Sequence, residues 1–176
     1  MRIILVAGMP GAGKEELLTV ARGMGLPFLR MGDLVREEHV KAGCPGRGIP
    51  VGQFANSERE EHGRDIWAKR AVARMDGDIF LVDGCRSMDE VDAYRAQGEE
   101  IVILGIFASP GQRFERLVRR ARDDAPADLD EFAARDRREM GWGLAEVLAL
   151  ADVMICNDSD LESFKTAAAR TLEGLV

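Results

Sequence analysis

The amino-acid sequence predicts an α/β protein, a three-layer sandwich in which helices cover both faces of a parallel sheet. Two observations support this fold class. Apolar runs of strand length alternate with amphipathic stretches of helical length, a pattern typical of parallel sheets built from strand–helix units. The 176 residues, 46% of them apolar and 31% charged, suit one globular domain with a substantial core, and we assign residues 1–176 to a single domain.

Five short apolar runs are the predicted strands. Each has the usual length of a strand in a globular protein and is followed by a stretch with helical periodicity or a turn. The predicted strands are Ile3–Ala7, Pro27–Met31, Ile79–Asp83, Ile101–Phe107 and Val153–Cys156.

Longer stretches with apolar residues at helical spacing are the predicted helices. Capping signals support three of them: Asp33 and Asp128 are suited to cap helix starts, and Ser109-Pro110 places proline at a first helical position. The predicted helices are Lys14–Met24, Asp33–Ala42, Phe54–Met75, Met88–Gln97, Pro110–Ala121, Asp128–Leu150 and Leu161–Leu175.

Two segments interrupt the alternation of strands and helices. Residues 43–52 are rich in glycine and proline, and residues 119–128 are charged and turn-rich. Both can be ordinary surface connections, or they can belong to mobile flaps that close over a substrate. On the second interpretation, residues 33–75 form an acceptor-binding insertion and residues 113–138 form a lid.

The first predicted strand runs directly into Gly8-x-x-Gly11-x-Gly13-Lys14, the spacing of a Walker A phosphate loop. Glycines let the backbone approach a polyphosphate closely and point several N–H groups at it, while the helix that follows adds its positive dipole end. The lysine then reaches the outer phosphates. The predicted nucleotide-binding residues of this segment are Gly8, Met9, Pro10, Gly11, Ala12, Gly13, Lys14 and Glu15.

Glu15 stands where most phosphate loops have a serine or threonine whose hydroxyl binds Mg²⁺. It can bind the metal directly as a hard oxygen ligand, or it can point away and leave the ion to other ligands. We favour the second alternative, because a carboxylate is longer than a hydroxyl and would crowd the same space. Asp83 is the other predicted metal ligand, since it ends an apolar strand in the manner of a Walker B element.

Two arginines and a carboxylate are predicted at the same edge of the sheet. Arg36 and Arg86 suit an anionic acceptor, because one guanidinium group can donate hydrogen bonds to two phosphate oxygens at once. They can equally form surface salt bridges with acidic neighbours in the sequence. Asp33 can act as a general base toward a hydroxyl acceptor, or it can simply cap its helix.

A second group of arginines crowds the predicted lid. Phosphoryl transfer depends on neutralising charge that spreads over the transferred group, and a flap that brings arginines onto the phosphates also expels water. Most of the group can equally belong to a solvated helix face. The group contains Arg113, Arg116, Arg119, Arg120, Arg122, Arg135, Arg137 and Arg138, of which Arg119, Arg120, Arg135 and Arg138 are the predicted catalytic members.

The composition argues against several other functions. A net charge of -7 disfavours general nucleic-acid binding, and no apolar run approaches the ~20 residues that a membrane span needs. Three scattered cysteines are typical of reduced thiols in a cytoplasmic protein, and no zinc site is expected. We expect His39 and His62 on the surface and Trp67 and Trp142 in the core.

Several of these segments resemble adenylate kinases and related nucleoside monophosphate kinases. Residues 31–38 are similar to a Thr-Gly-Asp-hydrophobic-hydrophobic-Arg segment whose arginine, here Arg36, holds the acceptor's phosphate. The segment Asp83-Gly-Cys-Arg86 is similar to an Asp-Gly-Phe-Pro-Arg segment, with one residue fewer. Residues 151–162 resemble dephospho-coenzyme A kinase, which places Asn157 near the adenine of the donor.

The most extensive resemblance is to an archaeal family described as dephospho-coenzyme A kinase-like. It covers nearly the whole chain through the segments Asp83–Ser87, Arg113–Leu117, Phe132–Glu139 and Trp142–Val147. This resemblance, and not the periodicity of the sequence, implies a P-loop NTPase fold with a five-stranded parallel sheet of order 2-3-1-4-5.

The resemblances imply a kinase that uses ATP and Mg²⁺ to phosphorylate a nucleoside monophosphate or dephospho-coenzyme A. A phosphate acceptor is already ionised and needs only arginine clamps, whereas a sugar hydroxyl needs a base such as Asp33. The match around Arg36 favours the phosphate. The alternative is a nucleotide-dependent switch with little turnover, which Glu15 favours because a carboxylate repels a triphosphate.

Overall fold

The computed structural model describes residues 1–97, 100–120 and 125–176 and contains a five-stranded sheet in the order β2-β3-β1-β4-β5. All neighbouring strands pair in parallel, so the predicted fold class and strand order are confirmed. The strands are β1 Arg2–Gly8, β2 Phe28–Arg30, β3 Ile79–Asp83, β4 Glu100–Phe107 and β5 Val153–Cys156.

Helices connect the strands and cover the sheet. A short 3-10 turn, Pro45–Arg47, lies between the second and third of them. In the described ranges, no helix is long and apolar enough to cross a membrane. The helices are α1 Lys14–Gly23, α2 Met31–Lys41, α3 Val51–His62, α4 Ile66–Val72, α5 Met88–Arg95, α6 Pro110–Arg120, α7 Leu129–Gly141, α8 Leu144–Ala149 and α9 Leu161–Leu175.

The central strand β1 is buried on both faces, which explains its continuous apolar sequence. Ile3 and Leu5 pack into the core cluster beneath α2 to α5 and α8, whereas Ile4 and Val6 pack into the cluster beneath α1 and α9. All four side chains are fully buried. Burying each of these side chains contributes roughly 1.5–3 kcal/mol to the stability of the fold. Since β1 is also the middle strand of the sheet, it forms the centre of the three-layer sandwich.

The register of the sheet brings three strand ends to one edge. Val6 of β1 pairs with Asp83 of β3, and Asp83 pairs in turn with Arg30 of β2. The loops that follow these strands therefore project from the same edge, which is where ligands bind in open parallel sheets.

Two predicted long helices are each divided in two. Phe54–Met75 is broken at Gly63, which has φ 100° and ψ 153°, and Asp128–Leu150 is broken at Gly143, which has φ 109°. A residue with positive φ cannot continue a right-handed helix. The prediction was wrong here because the apolar periodicity continues on both sides of each glycine.

The prediction that Asp33 caps the second helix is also wrong, because α2 already begins at Met31. Asp33 lies inside the first turn, where its charge complements the helix dipole and its carboxylate accepts a hydrogen bond from Arg36 at 2.5 Å. The other two predictions of helix starts are confirmed: Asp128 caps α7, and α6 begins at Pro110.

Burial corrects two further expectations. Trp67 is fully buried as predicted, but Trp142 is only half-buried and lies against two arginines. His39 was expected on the surface and is buried instead, with its Nε2 atom 2.6 Å from the carbonyl oxygen of Ile49. This contact fastens part of the glycine-rich segment 43–52 to α2.

Replacing Gly143 by alanine should lower the free energy of unfolding by about 1–2 kcal/mol, because an L residue with this positive φ is strained. The added Cβ would also lie 3.4 Å from the carbonyl oxygen of Arg86. Gly141→Ala is the matched control: it ends α7, its Cβ would meet nothing within 4 Å, and it should be neutral or stabilising by up to about 1 kcal/mol. Denaturant unfolding of both variants measures the difference, and equal stabilities would contradict this account of the helix break.

Candidate functional site

A cleft of about 820 Å³ opens at the carboxyl edge of the sheet, between the loop after β1 and the helices α6 and α7. We call it the phosphate-loop cleft. Of the predicted site residues, Met9, Ala12, Asp33, Arg36 and Arg138 do not line it. The predicted residues in its wall are Gly8, Pro10, Gly11, Gly13, Lys14, Glu15, Asp83, Arg86, Arg119, Arg120, Arg135 and Asn157.

The loop after β1 is packed tightly against two other parts of the chain. Gly11 and Gly13 have φ values of 83° and 117°, which residues other than glycine rarely adopt. A Cβ on Gly11 would lie 2.8 Å from the carbonyl oxygen of Arg113, and one on Gly13 would lie 2.3 Å from Asn157 Nδ2. The Asn157 amide also donates to the carbonyl of Ala12 at 2.8 Å. The two glycines are therefore required by packing within the protein.

Lys14 and Asp83 are the two charged groups at the floor of the cleft. The Lys14 ammonium donates to the carbonyl of Gly8 at 2.6 Å. Burial lowers the pKa of Lys14 while the charge of Asp83 opposes that change, and burial raises the pKa of Asp83 while Lys14 opposes it. Each charge thus offsets part of the desolvation cost of the other.

Asp83 is the residue that best fits a divalent cation. Its Oδ1 atom is buried and has no hydrogen-bond partner within the described part of the chain. No group of three or more histidine, cysteine or acidic side chains able to hold a metal occurs in residues 1–97, 100–120 and 125–176. This arrangement suits Mg²⁺, which is commonly held by one or two carboxylates together with waters and substrate phosphates.

Glu15 forms an ion pair with Arg30, a partner that the sequence did not suggest. Arg30 lies opposite Asp83 in the sheet, so strand pairing brings it to the phosphate loop. The arginine offsets the negative charge of Glu15 and engages its carboxylate in an ion pair. This pairing supports the second of the two alternatives for Glu15, in which the metal is left to Asp83.

Arg86 is held from three sides at the boundary of the cleft. Its backbone N–H donates to Glu90 at 2.9 Å, its Nε lies 3.4 Å from the Glu139 carboxylate, and its guanidinium lies 4.8 Å from the centre of the Trp142 ring. Both acids are buried, and burial raises the pKa of Glu90. Sequence reasoning missed Glu139, although it ends the Phe132–Glu139 segment that carried the family resemblance.

A second, smaller cavity of about 140 Å³ adjoins the cleft, and both cavities are lined by Gly84 and Arg86. We call it the arginine pocket, because Arg36, Arg59 and Arg86 all contribute to its wall. Arg36 and Arg86 were predicted to lie together, and the structure brings them together here. Asp33, the predicted base, lines neither cavity and contacts Arg36 instead.

The predicted lid helices are tied to the phosphate loop by a buried arginine. Arg113 donates to both carboxylate oxygens of Asp136 in α7, at 2.8 and 2.5 Å, and to the carbonyl of Pro10 at 3.2 Å. Arg138 lies 6.0 Å from the Trp142 ring centre instead of lining the cleft, and Arg122 falls outside the described residues. The lid arginines that border the cleft are Arg116, Arg119, Arg120 and Arg135.

The fold and the loop geometry define a phosphate-loop protein with a kinase-like sheet. The family model described as an AAA domain matches residues 7–133. A UPF0200 protein from Hyperthermus butylicus is 46% identical to this chain over 176 residues, covering 98% of this chain and 94% of that relative. A UPF0200 protein from Thermoplasma acidophilum is 42% identical over 171 residues, covering 97% of this chain and 94% of that relative. The chain therefore belongs to the UPF0200 protein family.

Solved structures confirm the fold at much lower identity. A shikimate kinase from Bacteroides thetaiotaomicron superposes with a TM-score of 0.65 at 19% identity, covering 97% of this chain and 98% of that one. A gluconokinase from Sinorhizobium meliloti 1021 gives a TM-score of 0.63 at 16% identity, covering 98% of this chain and 91% of that one. At these identities the likeness concerns the fold alone.

Replacing Glu15 by serine should preserve or strengthen the binding of ATP in the presence of Mg²⁺, because a hydroxyl replaces a carboxylate that points to Arg30. Arg30→Met should do the opposite and weaken binding, since it leaves Glu15 unpaired beside the triphosphate. Calorimetry with and without Mg²⁺ measures both effects. A loss of about tenfold or more in a folded Glu15→Ser protein would show instead that Glu15 holds the metal.

Proposed function

We propose that the protein is a kinase that transfers the γ-phosphoryl group of ATP, with Mg²⁺, to a small nucleotide-like acceptor. The observation that carries this proposal is the pair of adjoining cavities. One is large and contains the phosphate loop, the other is small and basic, and Arg86 lines both. A phosphotransferase needs two such compartments that meet where the phosphoryl group passes, whereas a protein that only binds a nucleotide needs one.

The donor side uses the residues of the phosphate-loop cleft. Backbone N–H groups of residues 8–14 and the Lys14 ammonium bind the phosphates, and the start of α1 adds its dipole. Asp83 would hold Mg²⁺ through Oδ1, which has no hydrogen-bond partner among the described residues, and the ion would supply positive charge to the phosphates. Asn157 positions the loop through Ala12, and residues 159–161 line the cleft beside it, where we place the adenine.

The arginines of α6 and α7 stabilise the transferred group. Arg119, Arg120 and Arg135 line the cleft and can neutralise charge on the phosphoryl oxygens. We give Arg138 an indirect role, since it lies against Trp142 and Trp142 in turn contacts Arg86.

The acceptor side favours a phosphate over a hydroxyl. The arginine pocket offers guanidinium groups, and Asp33 is engaged with Arg36 outside both cavities, where it is poorly placed to take a proton. An ionised acceptor such as a nucleoside monophosphate needs no base. Dephospho-coenzyme A, whose acceptor group is a hydroxyl, is the less favoured substrate.

A nucleotide-dependent switch with little turnover is the alternative function. Its main support is Glu15, whose charge also raises the pKa of Asp83. The ion pair with Arg30 weakens that support, because a neutralised carboxylate no longer repels a triphosphate strongly. We also propose a cytoplasmic location, which the three free cysteines favour.

Lys14→Ala should weaken the binding of ATP and ADP at least about tenfold, on the order of 1.4 kcal/mol. The reason is that Lys14 provides the only ammonium group among the described residues of the cleft wall. Lys41→Ala is the control, since that lysine is exposed and pairs with Glu38 on α2. Calorimetry with each nucleotide measures the affinities. Unchanged affinity in a folded Lys14→Ala protein would contradict the phosphate-loop assignment.

Asp33→Asn should leave turnover nearly unchanged, whereas Arg36→Ala should raise the KM for the acceptor by about tenfold or more, since one phosphate clamp is lost. Arg95→Ala, an exposed arginine on α5, is the control for removing one positive charge. A coupled assay of ADP release with a panel of nucleoside monophosphates and dephospho-coenzyme A measures all three. Turnover with dephospho-coenzyme A and with no monophosphate, together with a loss of roughly a hundredfold in Asp33→Asn, would reverse the preference for a phosphate acceptor.

A further inference from the structure

We infer that the arginine pocket binds a doubly charged phosphate monoester group, that Arg59 is one of its binding residues, and that Glu90 is the positioning residue that holds Arg59 there. The inference rests on the proposed function, because it concerns the acceptor side of the same reaction. Neither Arg59 nor Glu90 stands out in the sequence, and only the tertiary structure brings these side chains of α3 and α5 together.

Arg59 is held in place by contacts with neighbouring residues, but each of these contacts is long. Its side chain is 19% exposed, and its Nη2 atom lies 3.8 Å from the Glu90 carboxylate. Its Nη1 atom lies 3.4 Å from the carbonyl of Ala55 and 3.4 Å from the side-chain oxygen of Asn56. These distances are well above the ~2.7–2.9 Å of a strong charge-assisted hydrogen bond. The guanidinium group can therefore turn toward an anion without giving up strong bonds.

The size of the pocket limits what it can hold. A volume of about 140 Å³ accommodates roughly five water molecules at about 30 Å³ each, enough for one small anionic group but not for a whole nucleotide. The remainder of the acceptor then lies outside the arginine pocket. Because Gly84 and Arg86 line both cavities, an anionic group in the pocket lies next to the phosphate-loop cleft.

The number of guanidinium groups favours a dianion over a monoanion. One carboxylate is satisfied by a single guanidinium fork, whereas the three terminal oxygens of a phosphate monoester can use three. Arg36, Arg59 and Arg86 supply that number around one small space. A phosphate group thus matches the pocket better in both charge and number of acceptor atoms.

The nearby acids leave the donor edges of these arginines available. Asp33 pairs with Arg36 in an exposed contact, and such pairs exchange with other anions at little cost. The contact of Glu139 with Arg86 is at Nε, 3.4 Å away, and no hydrogen bond engages the terminal nitrogens of Arg86 within the part of the chain that the structure describes.

Glu90 links two of the arginines through one buried carboxylate. It is 2% exposed and lies in the first turn of α5. One of its oxygens accepts the backbone N–H of Arg86 at 2.9 Å, and the other faces Arg59. A carboxylate buried to this degree is costly unless it is paired, so its position fixes the position of both partners.

Titration with inorganic phosphate and with acetate tests the pocket directly. The protein is first saturated with ADP, so that the phosphate loop is occupied, and binding is followed by calorimetry and by tryptophan fluorescence, to which Trp67 and Trp142 in the pocket wall both contribute. We expect phosphate to bind more tightly than acetate, and Arg59→Gln to weaken phosphate binding by about tenfold or more. Arg64→Gln is the matched control, because it removes the same charge from a side chain that is 81% exposed and outside the pocket, and it should change the affinity less than about twofold.

Three outcomes of this titration would overturn the inference. They are equal losses in Arg59→Gln and Arg64→Gln, no loss in Arg59→Gln, and acetate binding as tightly as phosphate. If Arg59→Gln does not fold, Arg59→Lys replaces it; it keeps the charge but loses the planar fork, so a several-fold loss of phosphate affinity is expected and an unchanged affinity contradicts the assignment.

The role of Glu90 is tested by the sign of the effect of Glu90→Gln. If the carboxylate acted only by its charge, its removal would raise phosphate affinity; a positioning role predicts a loss of several-fold, because Arg59 is released. In the Arg59→Gln background, Glu90→Gln should then cause no further loss, because the glutamine carbonyl oxygen can still accept the Arg86 N–H, whereas a purely structural role would lower affinity in both backgrounds. A gain in affinity, or equal losses in the two backgrounds, would contradict the positioning role.

Failure of the proposed function can be told apart from failure of this inference. If ADP does not bind, the donor assignment fails, and the same phosphate titration is carried out on the Lys14→Ala protein, in which the phosphate loop is disabled. Phosphate binding that still depends on Arg59 would then support the arginine pocket alone. If ADP binds normally and phosphate binding does not depend on Arg59, the inference is defeated while the donor assignment stays intact.

Discussion

The close packing of the phosphate loop is the constraint on which the rest of the site depends. Gly11 lies against the backbone of Arg113, and Gly13 lies against the side chain of Asn157, with no room for a Cβ at either position. The loop that follows β1 is thereby fitted between the start of α6 and the end of β5. Because Arg113 also binds Asp136, the shape of the loop and the position of α7 are set together.

The electrostatics of the site follow from the same burial. Charged groups that are removed from water must be paired, and most of those around the cleft are. The buried side-chain atoms without a partner in the described ranges are Asp83 Oδ1, Arg30 Nε and Arg116 Nη1. All three belong to side chains in the wall of the cleft or beside Asp83 in the sheet. Unsatisfied buried polar atoms are few in folded proteins, so their concentration here fits a site prepared for charged ligands.

The candidate site was predictable where its residues are close in sequence. The segment from Gly8 to Lys14 and the acid at the end of β3 are local signals, because a strand end and the residues that follow it always share one edge of the sheet. The ion pairs were not predictable. Glu15 meets Arg30, and Arg59 meets Glu90, only because particular strands and helices are neighbours, and an arginine-rich sequence offers many alternative partners for each acid.

The sequence by itself determined the alternation of strands and helices and the phosphate loop, since hydrophobic periodicity and glycine spacing act over short distances. The tertiary structure decided where the long helices break, because Gly63 and Gly143 adopt positive φ only where the surrounding packing demands it. It also decided which arginines face the two cavities and which lie elsewhere, as Arg138 does against Trp142. A charged side chain is flexible and acts at long range, so its partner is fixed by the packing of elements that are distant in the sequence.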